Sequence, residues 1–287
     1  MSIDKLQESI RKRKNPSVLE LNLMPDEIPA AFGFNFFVGC VAYGKALLDA
    51  LKEIIPAVRL SYNAYSIYGA EGLTTLETLL NYARDCGYYV ILDCPEVATP
   101  RGTEQVAQTL FAENFPWYFD AAVITAYIGS DGIRPFVDRL QENEKSVFVV
   151  VRTANKTAAE LQDLLSGSRL SHVAKADIIN RFAQPLLGRC AYSQVALLAG
   201  ASSADSLRVL RTTYKYLFIL IDGSDYANAN AKNCSYAFDS LGHGAAACAG
   251  SSITAAWQSE ENADPISAAV SAAERMRKNL TRYVTIL

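Results

Sequence analysis

Histidine is scarce in this chain: two residues, His172 and His243, stand far apart among 287. An unpaired histidine is more often a packed or surface residue than a catalyst, so neither is nominated as one. The six cysteines (Cys40, Cys86, Cys94, Cys190, Cys234 and Cys248) are scattered, with no C-x-x-C spacing and no close histidine. That pattern excludes a zinc signature and a disulfide framework, and predicts reduced thiols and no metal. Cys94 sits at a strand end, but without a histidine to activate it the thiol is not expected to be a nucleophile. Basic runs are missing beyond Arg11 to Lys14, and the formal net charge is -3, so there is no footprint for nucleic acid. The run itself reads as the solvated face of a first helix. No apolar stretch reaches the roughly 18 residues of a membrane span, and "MSIDKLQESIRKRK" has no apolar signal region. The expectation is a soluble, cytoplasmic protein with neither a nucleic-acid nor a membrane partner.

Half of the residues are hydrophobic and a fifth are charged, ordinary for a globular chain with a sizeable core. Eight short β-branched or apolar runs recur: "VLELNL", "AVRLSY", "YYVILDC", "AAVITAY", "SVFVVVRT", "SQVALLAG", "YLFILID" and "GAAACAG". Segments of helical periodicity separate them, including "GLTTLETLLNYARDCG", "TEQVAQTLFAENF", "AAELQDLL" and a closing helix from Pro265 to about Tyr283. Strict alternation implies parallel strands with right-handed crossovers, and eight units close into a (β/α)8 barrel of the TIM type. An open doubly wound sheet fits less well, because "ELNLMPDEIP" follows the first strand where a dinucleotide fingerprint would stand. There are no internal repeats and no low-complexity linkers. The chain therefore reads as one barrel domain over residues 1–287, with a helix from Ile3 to about Arg13 covering its bottom.

Function in such a barrel sits at the C-terminal strand ends. The rule nominates Asn22, Arg59, Asp93, Thr125, Arg152 to Asn155, Gly200 to Ser202, Asp222 to Asp225 and Gly250 to Ser252.

Four stretches, "SYNAYSIYGAEGLTTLETLLNYARDCGYYVILD", "AYIGSDGIRPF", "VFVVVRTANKTAAELQDL" and "LLAGASSADSLRVLR", resemble the bacterial long-chain branch of the orotidine 5'-phosphate decarboxylases. The resemblance runs from Pro16 to about Arg277. It implies a barrel enzyme that removes carbon dioxide from orotidine monophosphate without metal or organic cofactor, so that electrostatics carries the catalysis. It also implies an alternating array of two lysines and two aspartates: one lysine at the end of strand 2, and the rest in a D-x-K-x-x-D motif at the end of strand 3.

Laid on this chain, that motif gives Asp93 for the first aspartate, Pro95 for the lysine and Ala98 for the second aspartate, while the strand 2 lysine falls on Arg59. No lysine lies between Lys52 and Lys145, so no shift of register restores the motif. The ribose-contacting aspartate falls on Asn22. The pyrimidine-contacting serine of the family's "RTSN" falls on Ala154, leaving Arg152, Thr153 and Asn155. "DGSDYANA" from Asp222 to Ala229 replaces the family's "PGYGAQGG", and "CAGSSI" puts Ser251 where "NSSRGI" has its phosphate-binding arginine.

The residues thus predict a ligand pocket drawn from Asn22, Arg59, Asp93, Arg152, Thr153, Asn155, Ser202, Asp222, Asp225 and Ser251, with no confirmed catalytic group, no cofactor and no named ligand. Arg59 and Asp93 are expected to pair and to close off the site, and Asp222 and Asp225 to repel a phosphate. Three functions stay open: a non-catalytic or regulatory relative of the decarboxylase, an enzyme of changed chemistry in the same cavity, and a working decarboxylase with relocated groups. The resemblance further implies a homodimer across the open end of the barrel. A partnership with an active decarboxylase paralogue is a more distant extension.

Overall fold

The computed structural model describes residues 1–224, 230–259 and 263–287. All eight expected runs form parallel strands of one closed barrel: β1 (Ser17–Glu20), β2 (Ala57–Ser61), β3 (Tyr89–Asp93), β4 (Ala121–Ile124), β5 (Ser146–Arg152), β8 (Val195–Gly200), β9 (Ile219–Asp222) and β10 (Ala245–Ala249). Closure comes from β1, which pairs with β10 through Ser17 and Ala247 and with β2 through Glu20 and Arg59. Strands wrapped by helices are buried on both faces and so read as near-continuous apolar runs, which is why the pattern was visible in sequence. Polar residues break these runs mainly at the C-terminal ends, at Glu20, Arg59, Asp93, Arg152 and Asp222.

Among the described residues, seven helices of ten or more residues pack against the barrel: α1 (Ser2–Arg13), α2 (Phe36–Leu51), α3 (Gly69–Asp85), α4 (Pro100–Leu110), α5 (Ser171–Asn180), α6 (Ala204–Thr213) and α7 (Pro265–Thr281). Several starts are set by local chemistry. Asn35 accepts from the amides of Phe37 and Val38, Thr99 from Gly102, Ser203 from Ser206 and Asp264 from Ser267. Each satisfies an otherwise orphaned amide, and Pro100 and Pro265 add a φ already suited to a first turn.

Helix α1 lies across the bottom as expected. Its Ser2 hydroxyl donates to the Asp120 carbonyl and meets the Tyr89 hydroxyl at 2.8 Å, at the N-terminal end of β3. The basic run at its end is more engaged than a solvated face would be: Arg11 and Lys14 donate to the carbonyls of Leu287 and Ile286, and Arg13 to Lys52. Two buried tyrosines turn their hydroxyls to backbone: Tyr65 donates to Leu21 and Tyr88 to Leu48.

One segment departs from the sequence pattern. The helix expected over "AAELQDLL" stops at Gln162, and Leu165–Ser166 (β6) and Arg169–Leu170 (β7) form a small antiparallel hairpin. Gly167 turns it with φ +65°, a conformation that favours glycine. Asp163 is drawn out of the helix by Arg152, whose Nε and Nη2 donate to its two carboxylate oxygens at 3.0 Å each.

Among the described residues no helix is long and apolar enough to cross a membrane.

Candidate functional site

Three carboxylates converge on one guanidinium at the C-terminal mouth. Arg59 Nε donates to Asp93 at 2.8 Å, and its Nη1 donates to Glu20 at 2.6 Å and to Asp222 at 2.5 Å. The barrel makes this meeting unavoidable, because β1, β3 and β9 end in Glu20, Asp93 and Asp222, and Arg59 stands on β2 two residues before its end. The Arg59 side chain is only 9% exposed. Burial works against its charge, but the carboxylates of Asp93, Glu20 and Asp222 together overcome that and hold its pKa well above the ordinary value. Asp93 goes the other way: burial raises its carboxyl more than Arg59 lowers it, and Asp222 raises it further. One cation among three anions cannot neutralise them all, and Asp93 carries the consequence.

The expected Arg59 and Asp93 pair is therefore present, as part of a larger cluster. It does not close off the mouth. A cavity of about 220 Å³ remains, lined among others by Arg59, Asp93, Glu96, Thr125, Thr153 and Asp222. That is below the roughly 300–1,000 Å³ usual for small-molecule sites. Arg59 is the one cation in the described lining, against Asp93, Glu96 and Asp222.

Of the pocket candidates, Arg59, Asp93, Thr153 and Asp222 come together here, and the other described candidates do not line the cavity. Asn22 Oδ1 accepts from the Ser61 amide at 2.8 Å. Arg152 turns outward to Asp163 and donates to the Ser202 hydroxyl at 3.2 Å, so both leave the cavity. Asn155 accepts from the Thr153 hydroxyl and donates to Thr157. Ser251 is exposed at the start of the short helix Ser251–Thr254. Pro95 is half-buried beside the cavity and Ala98 exposed. Asp225 lies outside the described residues. Asp222 was expected to face a phosphate; its carboxylate turns instead onto Arg59. Gly200 lets the loop after β5 close in, since a Cβ there would meet Ala154 Cα at 2.5 Å.

Glu20 was missed. Its signal was a lone charge inside "VLELNL", passed over because the count went on to Asn22. Lys175 was missed too, since it lies on α5 rather than at a strand end. Its Nζ donates to the Thr125 carbonyl at 2.5 Å, and burial draws its pKa down to about 8.

The unused candidates stay quiet. Burial pushes the Cys94 thiol up, away from thiolate chemistry. His172 Nδ1 lies 2.9 Å from the Gln162 carbonyl and 3.1 Å from Asp163, and His243 Nε2 lies 2.9 Å from the Leu287 carbonyl. Neither histidine reaches the cavity. No metal-binding group of three or more His, Cys, Asp or Glu occurs among the described residues.

Fold and mouth together define a (β/α)8 barrel with its polar cluster at the C-terminal strand ends, the arrangement of barrel enzymes. No family model matches the chain. Among curated proteins it is 25% identical over an alignment of 296 positions to an orotidine 5'-phosphate decarboxylase of Clostridium acetobutylicum, covering 98% of this chain and all of that one. It is 24% identical to the protein of that name in Caldicellulosiruptor saccharolyticus, covering 83% and 84%. Among solved structures, Leishmania donovani OMP decarboxylase superposes with a TM-score of 0.74 at 22% identity, covering 97% of this chain and 98% of that one. Plasmodium berghei orotidine 5'-monophosphate decarboxylase does so with 0.79 at 15% identity, covering 99% of each. These near full-length likenesses support membership of the orotidine 5'-phosphate decarboxylase family.

Proposed function

We propose that this chain is a functionally diverged homologue of orotidine 5'-phosphate decarboxylase that does not turn over orotidine monophosphate and acts as a dimeric interaction or regulatory protein. The observation that carries this reading is the state of Arg59. Decarboxylation needs a cation that stabilises a developing carbanion more than it stabilises the ground state, together with a proton donor. Arg59 is held by three carboxylates, and a guanidinium with a pKa above about 12 is a poor acid. A phosphate charge about 5 Å from any one of those carboxylates meets roughly 3 kcal/mol of repulsion at an effective dielectric near 20.

Exposed apolar residues support the dimer. Met24, Phe34, Ile67, Tyr127, Leu164 and Leu165 all lie on the connections that follow the barrel strands' C-terminal ends, Leu165 in the β6–β7 hairpin, and Phe34 is fully exposed. Large exposed apolar groups gathered on one face mark an interaction surface. The occupant proposed is a second copy of this chain across the mouth, with an active decarboxylase paralogue as the regulatory extension. Light scattering checks the first: a dimer that turns monomeric in Phe34→Ser with Ile67→Ser is expected, and a monomeric wild type at micromolar concentration would sink it.

A second reading, a working decarboxylase with relocated groups, has its own support in the near full-length likeness to curated decarboxylases and in Lys175, which does not line the cavity but donates to the carbonyl of Thr125, a residue that does. The loss of orotidine monophosphate absorbance with purified protein decides between them. No turnover is expected; turnover that disappears in Lys175→Met would establish the second reading in place of the first.

A further inference from the structure

A second cavity, of about 610 Å³, runs from the ends of β9 and β10, where Ser224, Ala249 and Ser252 line it, along the flank of the barrel. It lies between α7 and the short helix Ala231–Ser235, which is the helix that the described residues between β9 and β10 form. Arg275 and Asn279 on α7 and Arg282, the residue that caps its C-terminal end, follow the i, i+4, i+7 spacing that puts side chains on one face. Lys232 faces them from the short helix. Met276 and Leu280 line the same space with apolar surface.

Charge here is the inverse of the mouth. The described lining contains no aspartate or glutamate. The nearest acid on α7, Glu274, is taken by Arg277 at 2.6 Å, which leaves Arg275 and Arg282 without a carboxylate partner among the described residues. Three like charges gathered in a chain of net charge -3 repel one another, and a multivalent anion placed among them relieves that repulsion. The volume falls within the roughly 300–1,000 Å³ of small-molecule sites, and such sites combine an apolar wall with a few converging polar groups.

We propose that this flank cavity binds a small phosphorylated organic anion, its phosphate held by Lys232, Arg275 and Arg282 and its organic part laid against Met276 and Leu280. The site is separate from the strand-end cavity and stands whether or not that cavity is catalytic.

Calorimetry with inorganic phosphate and with ribose 5-phosphate, at constant ionic strength, tests it on the full chain. Saturable one-to-one binding is expected for ribose 5-phosphate, more tightly than for phosphate alone. In Arg275→Gln with Arg282→Gln, affinity should fall at least roughly tenfold, the loss expected for removing a charge-assisted contact. Lys232→Gln, on a different element, should weaken it as well, so that a folding defect in one variant leaves the other informative. Asp222→Asn at the mouth should leave binding unchanged. Wild type that fails to bind either probe more tightly than about 10 mM, or binding equal to wild type in both cation variants, would overturn the proposal.

Discussion

The strand-end cavity draws on Asp222 at the end of β9, and the flank cavity begins two residues on at Ser224, yet the two treat charge in opposite ways. At the mouth a buried cation is fully engaged by the protein's own anions. On the flank, exposed cations have no acidic partner among the described residues. A charge answered from within the fold is part of what holds the fold together, and it is poorly placed to recognise anything else. A charge left open adds little to stability and is free to meet a ligand. Arg211 marks a third solution: buried on α6, it donates to the carbonyls of Ala237, Leu217 and Gly244 with no carboxylate in contact.

The largest effect should come from breaking the mouth. Arg59→Met leaves Glu20, Asp93 and Asp222 together without a cation, and losing one partner of a buried pair costs about 3–5 kcal/mol. Denaturant unfolding should show a loss of that size. Adding Asp93→Leu removes only one of the three carboxylates, so the double variant should stay well below wild type. A double variant restored to wild-type stability would show that the pair with Asp93 stands alone and that Glu20 and Asp222 contribute nothing.

Next comes Asp222→Asn, which keeps the cation and removes one excess anion. Its cost should be far below that of Arg59→Met. It should also lower the pKa of Asp93, since Asp222 is one of the groups that raises it. The sign for stability follows by linkage. A carboxyl whose folded pKa is raised binds its proton more tightly when folded, so stability grows as pH falls through that raised value toward the roughly 3.9 of an unfolded aspartate. Asp222→Asn should flatten this acid-side gain. Carboxyl titration by NMR checks the shift, and an Asp93 pKa that does not move would separate the two side chains electrostatically.

Much of this contrast was legible in sequence at the mouth and almost none of it on the flank. Barrel strands are short, buried on both faces and regularly spaced, so a charged residue at or near the end of one is conspicuous; Arg59 and Asp93 could both be placed at the mouth by counting alone. Glu20 obeyed the same rule and was lost by following a family position two residues on to Asn22. Arg152 shows the limit of the rule: it ends β5, but a register irregularity between Val150 and Arg152 turns it outward to Asp163. The hairpin at Leu165–Ser166 and Arg169–Leu170 was hidden because its first strand shares its leucines with a helical pattern. The flank cavity lies between a short helix and α7, and periodicity does not report how two helices meet.

The smallest effect sharpens the comparison most. If Arg275 and Arg282 contribute nothing to the fold, Arg275→Gln with Arg282→Gln should change the unfolding free energy by no more than about 0.5 kcal/mol, the usual range for surface positions without partners. The sign should be toward greater stability, because neutralising two cations removes repulsion among like charges that nothing nearby offsets. That gain should shrink as salt is added, since roughly 10 Å screening at 0.1 M already weakens interactions between exposed charges. Two denaturant series, one at low and one at high salt, measure it against wild type. A loss comparable to that of Arg59→Met would mean that these arginines are held by the fold after all, and the distinction between an answered and an open charge would fail on the flank.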